Sequence, residues 1–303
     1  MTTMSTIPQV EQDLYPTRKG TEAALLYRRD PVVWGDAADG PMDAATLASY
    51  DENGFLSVDP LITPDEVERY RGELRRLSED TALRADERVV VEPESDELRS
   101  VFEVHKISDV FAELVTDPRV LDRARQILGS EVYVHQSRVN FKPGFGGNGF
   151  YWHSDFETWH AEDGMPRMRA CSFSIALTPN YDYNGALMIM PGAHKTYVSC
   201  MGETPDDHYR VSLKNQEIGT PDRGSLSLLA DKHGIAQLTG PAGAATIFDC
   251  NCMHGSNGNI TPFPRSNVFI VFNSVENACV KPFAADSPRP SFIGARDFTP
   301  VGA

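Results

Sequence analysis

The chain has 303 residues, 41% of them hydrophobic, enough for one large domain with a sizeable core. Its 28 Lys and Arg against 43 Asp and Glu leave a formal charge of -15 with no basic stripe. That balance argues against a nucleic-acid or anionic-membrane binder and favours a small-molecule substrate. No apolar run reaches membrane-spanning length. The first 29 residues hold Pro8, Pro16 and scattered charges instead of a secretory core. Five cysteines, an odd number in a chain of this size, argue against a disulfide framework and for a reducing, cytoplasmic setting.

Residues 1–45 show no sustained period and are expected to form a loosely packed arm, with at most short helical pieces, ahead of a single domain over 46–303. Thr63-Pro64-Asp65-Glu66 combines an N-cap, a proline at the first helical position and a Glu at N3. Val67, Tyr70, Leu74 and Leu77 follow at helical spacing, so a helix is expected there. A second opens at Asp117-Pro118 and is stopped by Gly129, with a shorter one between them over 107–115. Helical support thus occupies about 60–129.

From Glu131 the pattern turns to short β-branched and aromatic runs at 131–141, 169–178, 186–190, 244–249 and 267–275. Such runs without intervening helices suggest a jelly roll, core about 131–280, and not a parallel α/β sheet. The glycine-rich stretch 143–149 lacks the Lys-Ser/Thr and helix of a phosphate loop and reads as a strand connection. Residues 195–240 are polar, broken by Gly and Pro, and too long for an ordinary connection, as an active-site lid would be.

His153-Ser154-Asp155, with a lone His254 about a hundred residues on, carries the chemistry. Residues i and i+2 of an extended segment face the same side, about 7 Å apart, so His153 and Asp155 can converge on one ion while Ser154 points away. A distant histidine on a facing strand completes two imidazoles and one carboxylate on one face of the ion, the facial arrangement of non-haem Fe(II) oxygenases. A structural zinc site, by contrast, closes its coordination sphere. The bland alternative is a strand histidine satisfied by hydrogen bonds. A rival metal set, Cys250, Cys252 and His254 alternating on one strand, would favour zinc. Against it, free cysteines usually behave as small buried hydrophobes.

Longer stretches carry a family resemblance. Phe150-Tyr-Trp-His-Ser-Asp-Phe-Glu-Thr-Trp-His-Ala-Glu-Asp-Gly-Met-Pro166 resembles the signature of ectoine hydroxylases, in the phytanoyl-CoA-dioxygenase-like branch of the Fe(II)/2-oxoglutarate oxygenases. Gln136-Ser-Arg-Val-Asn-Phe-Lys-Pro143, Gly185-Ala-Leu-Met-Ile-Met-Pro-Gly-Ala-His194 and Asp249-Cys-Asn-Cys-Met-His-Gly-Ser-Asn257 support it, over about residues 60 to 280. Cys252 departs from the pattern where a Thr-like residue is expected.

The resemblance implies a double-stranded β-helix of cupin type, mainly β with flanking α-helices. It also implies Fe(II) held by His153, Asp155 and His254, 2-oxoglutarate and O2 as co-substrates, hydroxylation of ectoine to 5-hydroxyectoine, and a homodimer. Arg265, eleven positions after His254, can then sit on the next strand and pair in bidentate fashion with the far carboxylate of 2-oxoglutarate. Its plain alternative is a surface salt bridge. Asn140 and Ser256 match further 2-oxoglutarate contacts, although Ser256 between Gly255 and Asn257 could equally cap a turn. On the substrate side stand Gln136, Arg138, Thr158 and Trp159. An aromatic face and a cationic donor suit a small zwitterion with a delocalised amidine and a carboxylate. Core packing is the alternative for Trp159. Gln136 and Arg138 share parity with Asn140 on one strand, which aims all three into one cavity. Two other functions fit the residues: a related oxygenase acting on another small zwitterion, and a metal-stabilised jelly roll that only binds a solute or acts as a zinc hydrolase.

Overall fold

Two helices begin where their sequence signals stand, and the second also ends where its stop signal does. In the computed structural model, which describes residues 12–91, 98–213 and 218–303, Thr63 and Glu66 close a capping box at the head of the Pro64–Glu79 helix. The Thr63 amide donates to Glu66 Oε2 at 2.7 Å, and the Glu66 amide donates to Thr63 Oγ1 at 3.3 Å. Val67, Tyr70, Leu74 and Leu77 form its buried stripe. The Pro118–Leu128 helix ends at Gly129 in a left-handed conformation, φ +56°, with the backbone of Trp34 so close that no Cβ would fit. Where one short helix was expected there are two, Val104–Ile107 and Asp109–Thr116. Ser108 between them is extended, and its hydroxyl accepts from the Phe111 amide, a local bond that competes with continuation of the helix.

Among the described residues the β half is built on two large antiparallel sheets, beside a third of only two strands. The larger orders Phe55–Val58, Ala245–Asp249, Ala170–Ala176, Arg265–Ser274, Val132–Lys142, Leu98–Phe102 and Val89–Val91. The smaller orders Ala236–Leu238, Leu187–Ile189, His254–Ser256 and Phe150–His153. Phe55, Phe248 and Phe269 from the first meet Leu187, Ile189 and Leu238 from the second in one apolar cluster, as in an open jelly-roll sandwich. The helices cover the other face of the large sheet, where Leu74, Leu77, Leu114 and Ile127 pack on Val139, Phe173, Ile247 and Val268.

A bulge fixes which residues of the central strand face inward. Val271 pairs with Gln136 and Phe272 with Val134, leaving His135 as the extra residue. Val132 and Val134 therefore face the helices before it, and Val139 and Phe141 after it. Gln136, Arg138 and Asn140 turn to the opposite side.

Residues 12–45 are not loosely packed. Ala24–Tyr27 pairs with Thr196–Ser199, Tyr15 is fully buried, and Arg18 and Arg28 form buried ion pairs with the jelly roll. The signals missed there are side chains that find partners more than a hundred residues away. The 195–240 excursion carries Thr196–Ser199, Tyr209–Ser212, Arg223–His233 and Ala236–Leu238, with residues 214–217 of the expected lid outside the described residues. Leu226 and Leu229 anchor it on Met190, Val198 and Met253. Among the described residues, no helix is long and apolar enough to cross a membrane.

Candidate metal centre and its cavity

Pairing of the Phe150–His153 and His254–Ser256 strands sets His153 directly opposite His254, with ring centroids 4.3 Å apart. Ser154 stays extended and turns away, donating to Asn251 Oδ1 at 2.9 Å, and Asp155 opens the short Asp155–Thr158 helix. The carboxylate thereby comes back beside the imidazoles. His153 Nε2 lies 3.6 Å from Asp155 Oδ1 and His254 Nε2 lies 4.0 Å from Asp155 Oδ2. These gaps are no wider than two metal–ligand bonds of about 2 Å each.

Both imidazoles are oriented by their other nitrogen. His153 Nδ1 donates to the Tyr151 carbonyl at 2.7 Å and His254 Nδ1 to the Cys252 carbonyl at 3.0 Å, so each Nε2 keeps its lone pair for an ion. Burial, reinforced by His153 beside it, pushes the His254 pKa down to about 4, which keeps the ring neutral as a ligand must be. For Asp155, burial opposes ionisation, but His254, His153 and Arg138 outweigh it and hold the carboxyl well below its ordinary range. The donor set N, O, N fits a divalent ion.

The zinc alternative does not survive. The preceding strand ends at Asp249, and Cys250 and Cys252 lie in the turn before His254, not on one strand with it. Cys252 Sγ bonds to the Gly54 carbonyl at 3.1 Å, and burial pushes both thiols well above their ordinary pKa. Among the described residues His153, Asp155 and His254 form the one candidate cluster of three or more metal-ligating side chains. All five cysteines are free and buried.

The cluster opens into a cavity of about 1170 Å3, mouth included, whose wall contains all ten residues singled out from the sequence. Its charge is opposite to that of the chain as a whole: Arg99, Arg138, Lys142, Arg265 and Arg289 line it against the single carboxylate of Asp155. Arg265 is 8% exposed and donates to two neutral oxygens, Gly185 O at 2.9 Å and Asn180 Oδ1 at 3.2 Å. Burial without an anion beside it pushes its pKa down to about 10. It is not the surface salt bridge of the bland reading. Lys142 stands opposite Arg265 in the sheet register and donates to Ser256 Oγ at 3.0 Å, which leaves the Ser256 hydroxyl proton to donate onward. Asn140 Oδ1 accepts from Ser100, so its amide nitrogen is the group left for a ligand.

Deeper along the same strand, Gln136 Nε2 donates to the Ile293 carbonyl at 2.7 Å and its Oε1 accepts from Arg138. Arg138 lies over the Phe269 ring at 4.9 Å, and burial lowers its pKa. Thr158 and Trp159 follow Asp155 by three and four residues. Trp159 is 3% exposed, edge-on to His135 at 5.3 Å. It is thus both cavity wall and core.

The comparisons with known proteins agree with this geometry. The family model described as phytanoyl-CoA dioxygenase (PhyH) matches residues 50–267. The ectoine dioxygenase of Streptomyces coelicolor is 66% identical over 299 residues, covering 98% of this chain and all of that protein. That of Halomonas elongata is 52% identical over 94% of this chain and 87% of its own length. The crystal structure of EctD from S. alaskensis with 2-oxoglutarate and 5-hydroxyectoine is 47% identical, covers 96% of each chain and superposes with a TM-score of 0.86. The form of that protein with bound Fe gives 0.85, at 94% and 95% coverage.

This chain belongs to the phytanoyl-CoA dioxygenase family.

Within that family fold, three cations of the cavity wall escaped the sequence reading, Arg99, Lys142 and Arg289. Lys142 continues the even-numbered parity of 136, 138 and 140 and was available from it. Arg289 had no such signal. It lies beyond the last strand, between two prolines, and reaches the cavity because Asp163 grips its guanidinium by two hydrogen bonds, one of 2.8 Å.

Proposed function

We propose that this chain is an Fe(II)- and 2-oxoglutarate-dependent dioxygenase that hydroxylates ectoine to 5-hydroxyectoine. The observation that carries the reading is an N, O, N donor cluster opening onto a cationic cavity, in a chain 66% identical to an ectoine dioxygenase. His153, Asp155 and His254 hold the iron, which couples decarboxylation of 2-oxoglutarate to hydroxylation, with succinate and carbon dioxide as co-products.

The chain's own residues then bind and orient. Arg265 takes the far carboxylate of 2-oxoglutarate in a bidentate pair, and the Ser256 hydroxyl and Asn140 amide add donors to the same anion. Arg138, steadied by Gln136, receives the ectoine carboxylate. Trp159 and Thr158 hold the ring carbon against the metal side, where the aromatic face suits the delocalised cation. Ser212 and Leu213, from the described part of the 195–240 excursion, stand in the cavity wall and limit entry of water.

One domain, residues 46–303, carries the reaction. It works in the cytoplasm, a setting that suits five free, buried cysteines. It works there as a homodimer, the state implied by the family resemblance. Light scattering is expected to give about twice the 33.5 kDa chain mass, and a single-chain mass would remove the dimer.

The deciding experiment is anaerobic reconstitution with ferrous iron, then oxygen, with succinate release read in the presence and absence of ectoine. Ectoine-dependent succinate and an equal yield of 5-hydroxyectoine by mass spectrometry are expected. Succinate release indifferent to ectoine but stimulated by another small zwitterion would move the chain to the related-oxygenase reading. No 2-oxoglutarate consumption at all would leave a solute-binding jelly roll.

A further inference from the structure

Residues 13–30 line no part of the cavity, yet they grip both segments that carry the metal ligands. On the Asp155 side, Arg18 donates from Nε and Nη2 to Glu157 at 2.9 and 2.7 Å and from Nη1 to Glu162 at 2.6 Å, while Thr17 adds a bond to Glu157 at 2.7 Å. Glu157 stands two residues after Asp155 in the same helical turn. On the His254 side, Arg28 donates to Asp249 Oδ1 at 2.7 Å and to the Met168 carbonyl at 2.9 Å. That same Asp249 oxygen accepts the Asn251 amide at 2.8 Å, and Asn251 Oδ1 accepts from Ser154, the residue between His153 and Asp155. Three successive hydrogen bonds thus lead from Arg28 to the midpoint of the ligand pair.

Such an arrangement is a poor device for stability alone, because burying ion pairs costs desolvation that apolar side chains of similar volume avoid. What it supplies is fixed geometry. Two further features point the same way. Arg18 holds a left-handed backbone, φ +53°, which a residue with a Cβ adopts only when its surroundings over-determine it. Gly219, φ +76°, closes over the ion pair so tightly that a Cβ would overlap Arg18 Nη2 and Glu157 Oε2. Thr204 also accepts from Arg18 at 3.0 Å, so the same guanidinium joins the 195–240 excursion to the ligand helix.

We propose that residues 13–30 are a strap that sets the spacing of His153, Asp155 and His254, with Arg18 and Arg28 as positioning residues for the metal centre. The inference rests on the reading of that trio as the iron site. Loosening either anchor lets the Asp155 helix or the turn before His254 drift, and the trio then binds a divalent ion less tightly.

The test is anaerobic titration of the full chain with Co(II), followed by its electronic spectrum, for wild type, Arg18→Met, Arg28→Met, Arg18→Lys and Gly219→Ala. Arg18→Met and Arg28→Met are expected to raise the Co(II) Kd about tenfold or more, as loss of supporting partners around metal ligands does. Arg18→Lys keeps the charge and recovers part of the loss. Ectoine turnover should fall at limiting Fe(II) and return at saturating Fe(II), a rescue that a merely structural role would not show. Where a methionine variant does not fold, Gly219→Ala reads the same anchor by pushing on the ion pair from outside. Folded variants that bind Co(II) within twofold of wild type, with an unchanged spectrum, overturn the strap even if they melt earlier. A wild type that binds Co(II) through the trio but leaves ectoine untouched removes the functional reading and leaves the strap standing.

Discussion

His153 and His254 are direct cross-strand partners, so the two imidazoles are brought together by backbone pairing and not by a flexible loop. Each is further fixed by an Nδ1 bond to a carbonyl two residues earlier in its own strand or turn. This makes the apo centre pre-organised, with Asp155 as the member contributed from beyond a strand end.

His153→Ala is expected to lower turnover by at least about a hundredfold while leaving the apo melting temperature within a few degrees of wild type, since His153 is only partly buried at a strand end. Metal titration and thermal melting of the apo chain check both halves. Full activity would remove His153 from the ligand set.

Arg265 is a buried cation whose oxygen partners, Gly185 and Asn180, are both neutral. Arg265→Met should therefore leave the apo chain as stable as wild type or more so, because it deletes an uncompensated buried charge. Yet it should weaken 2-oxoglutarate binding by about 30- to 100-fold, the equivalent of about 2–3 kcal/mol for a charge-assisted pair. The melting shift produced by 2-oxoglutarate in wild type should vanish in the variant. A persisting shift would place the co-substrate elsewhere.

Cys252→Thr tests the discarded zinc set. The Cys252 thiol bonds to the Gly54 carbonyl, a role that a threonine hydroxyl can take over. Co(II) affinity and ectoine turnover should stay within about twofold of wild type, whereas loss of a true thiolate ligand would abolish binding.

Much of this site could be read from residue spacing. The even parity of 136, 138 and 140 aimed them into one cavity, and it held because the bulge at His135 falls just before them. A bulge three residues later would have sent Gln136 to the helix-covered face. The metal trio was legible because its i, i+2 geometry needs only one extended residue, Ser154. What stayed hidden depends on tertiary partners. Leu98–Phe102, with every residue buried, was lost among polar neighbours, and the short His254–Ser256 strand has too few residues to show a period. The arm read as loose because Arg18 and Arg28 find their carboxylates at positions 157, 162 and 249, a pairing that no local pattern encodes.

Three histidines are expected to give the metal-free chain a stability maximum near pH 6.5. His254 and His105 are both pushed by burial from an ordinary 6.5 down to about 4. The folded state then binds fewer protons than the unfolded one, so their contribution is present above pH 6.5 and lost as the pH falls towards 4. His135 has the opposite sign. Burial opposes its charge, but the Cys279 sulfur and the Asp163 carboxylate outweigh that and raise it to about 9. Its contribution is complete below 6.5 and disappears as the pH rises through 9. Below 6.5 His135 is charged in both states, and above 6.5 His254 and His105 are neutral in both, so the two limbs do not cancel. Chemical denaturation in the presence of a chelator, at intervals from pH 4 to 9, should trace a dome. His254→Gln should flatten the acid limb, and a divalent ion should move it to lower pH, because the ion holds the imidazole unprotonated in the native state alone. Stability that climbs steadily from pH 6.5 to 9 would refute the assignment of the alkaline limb to His135.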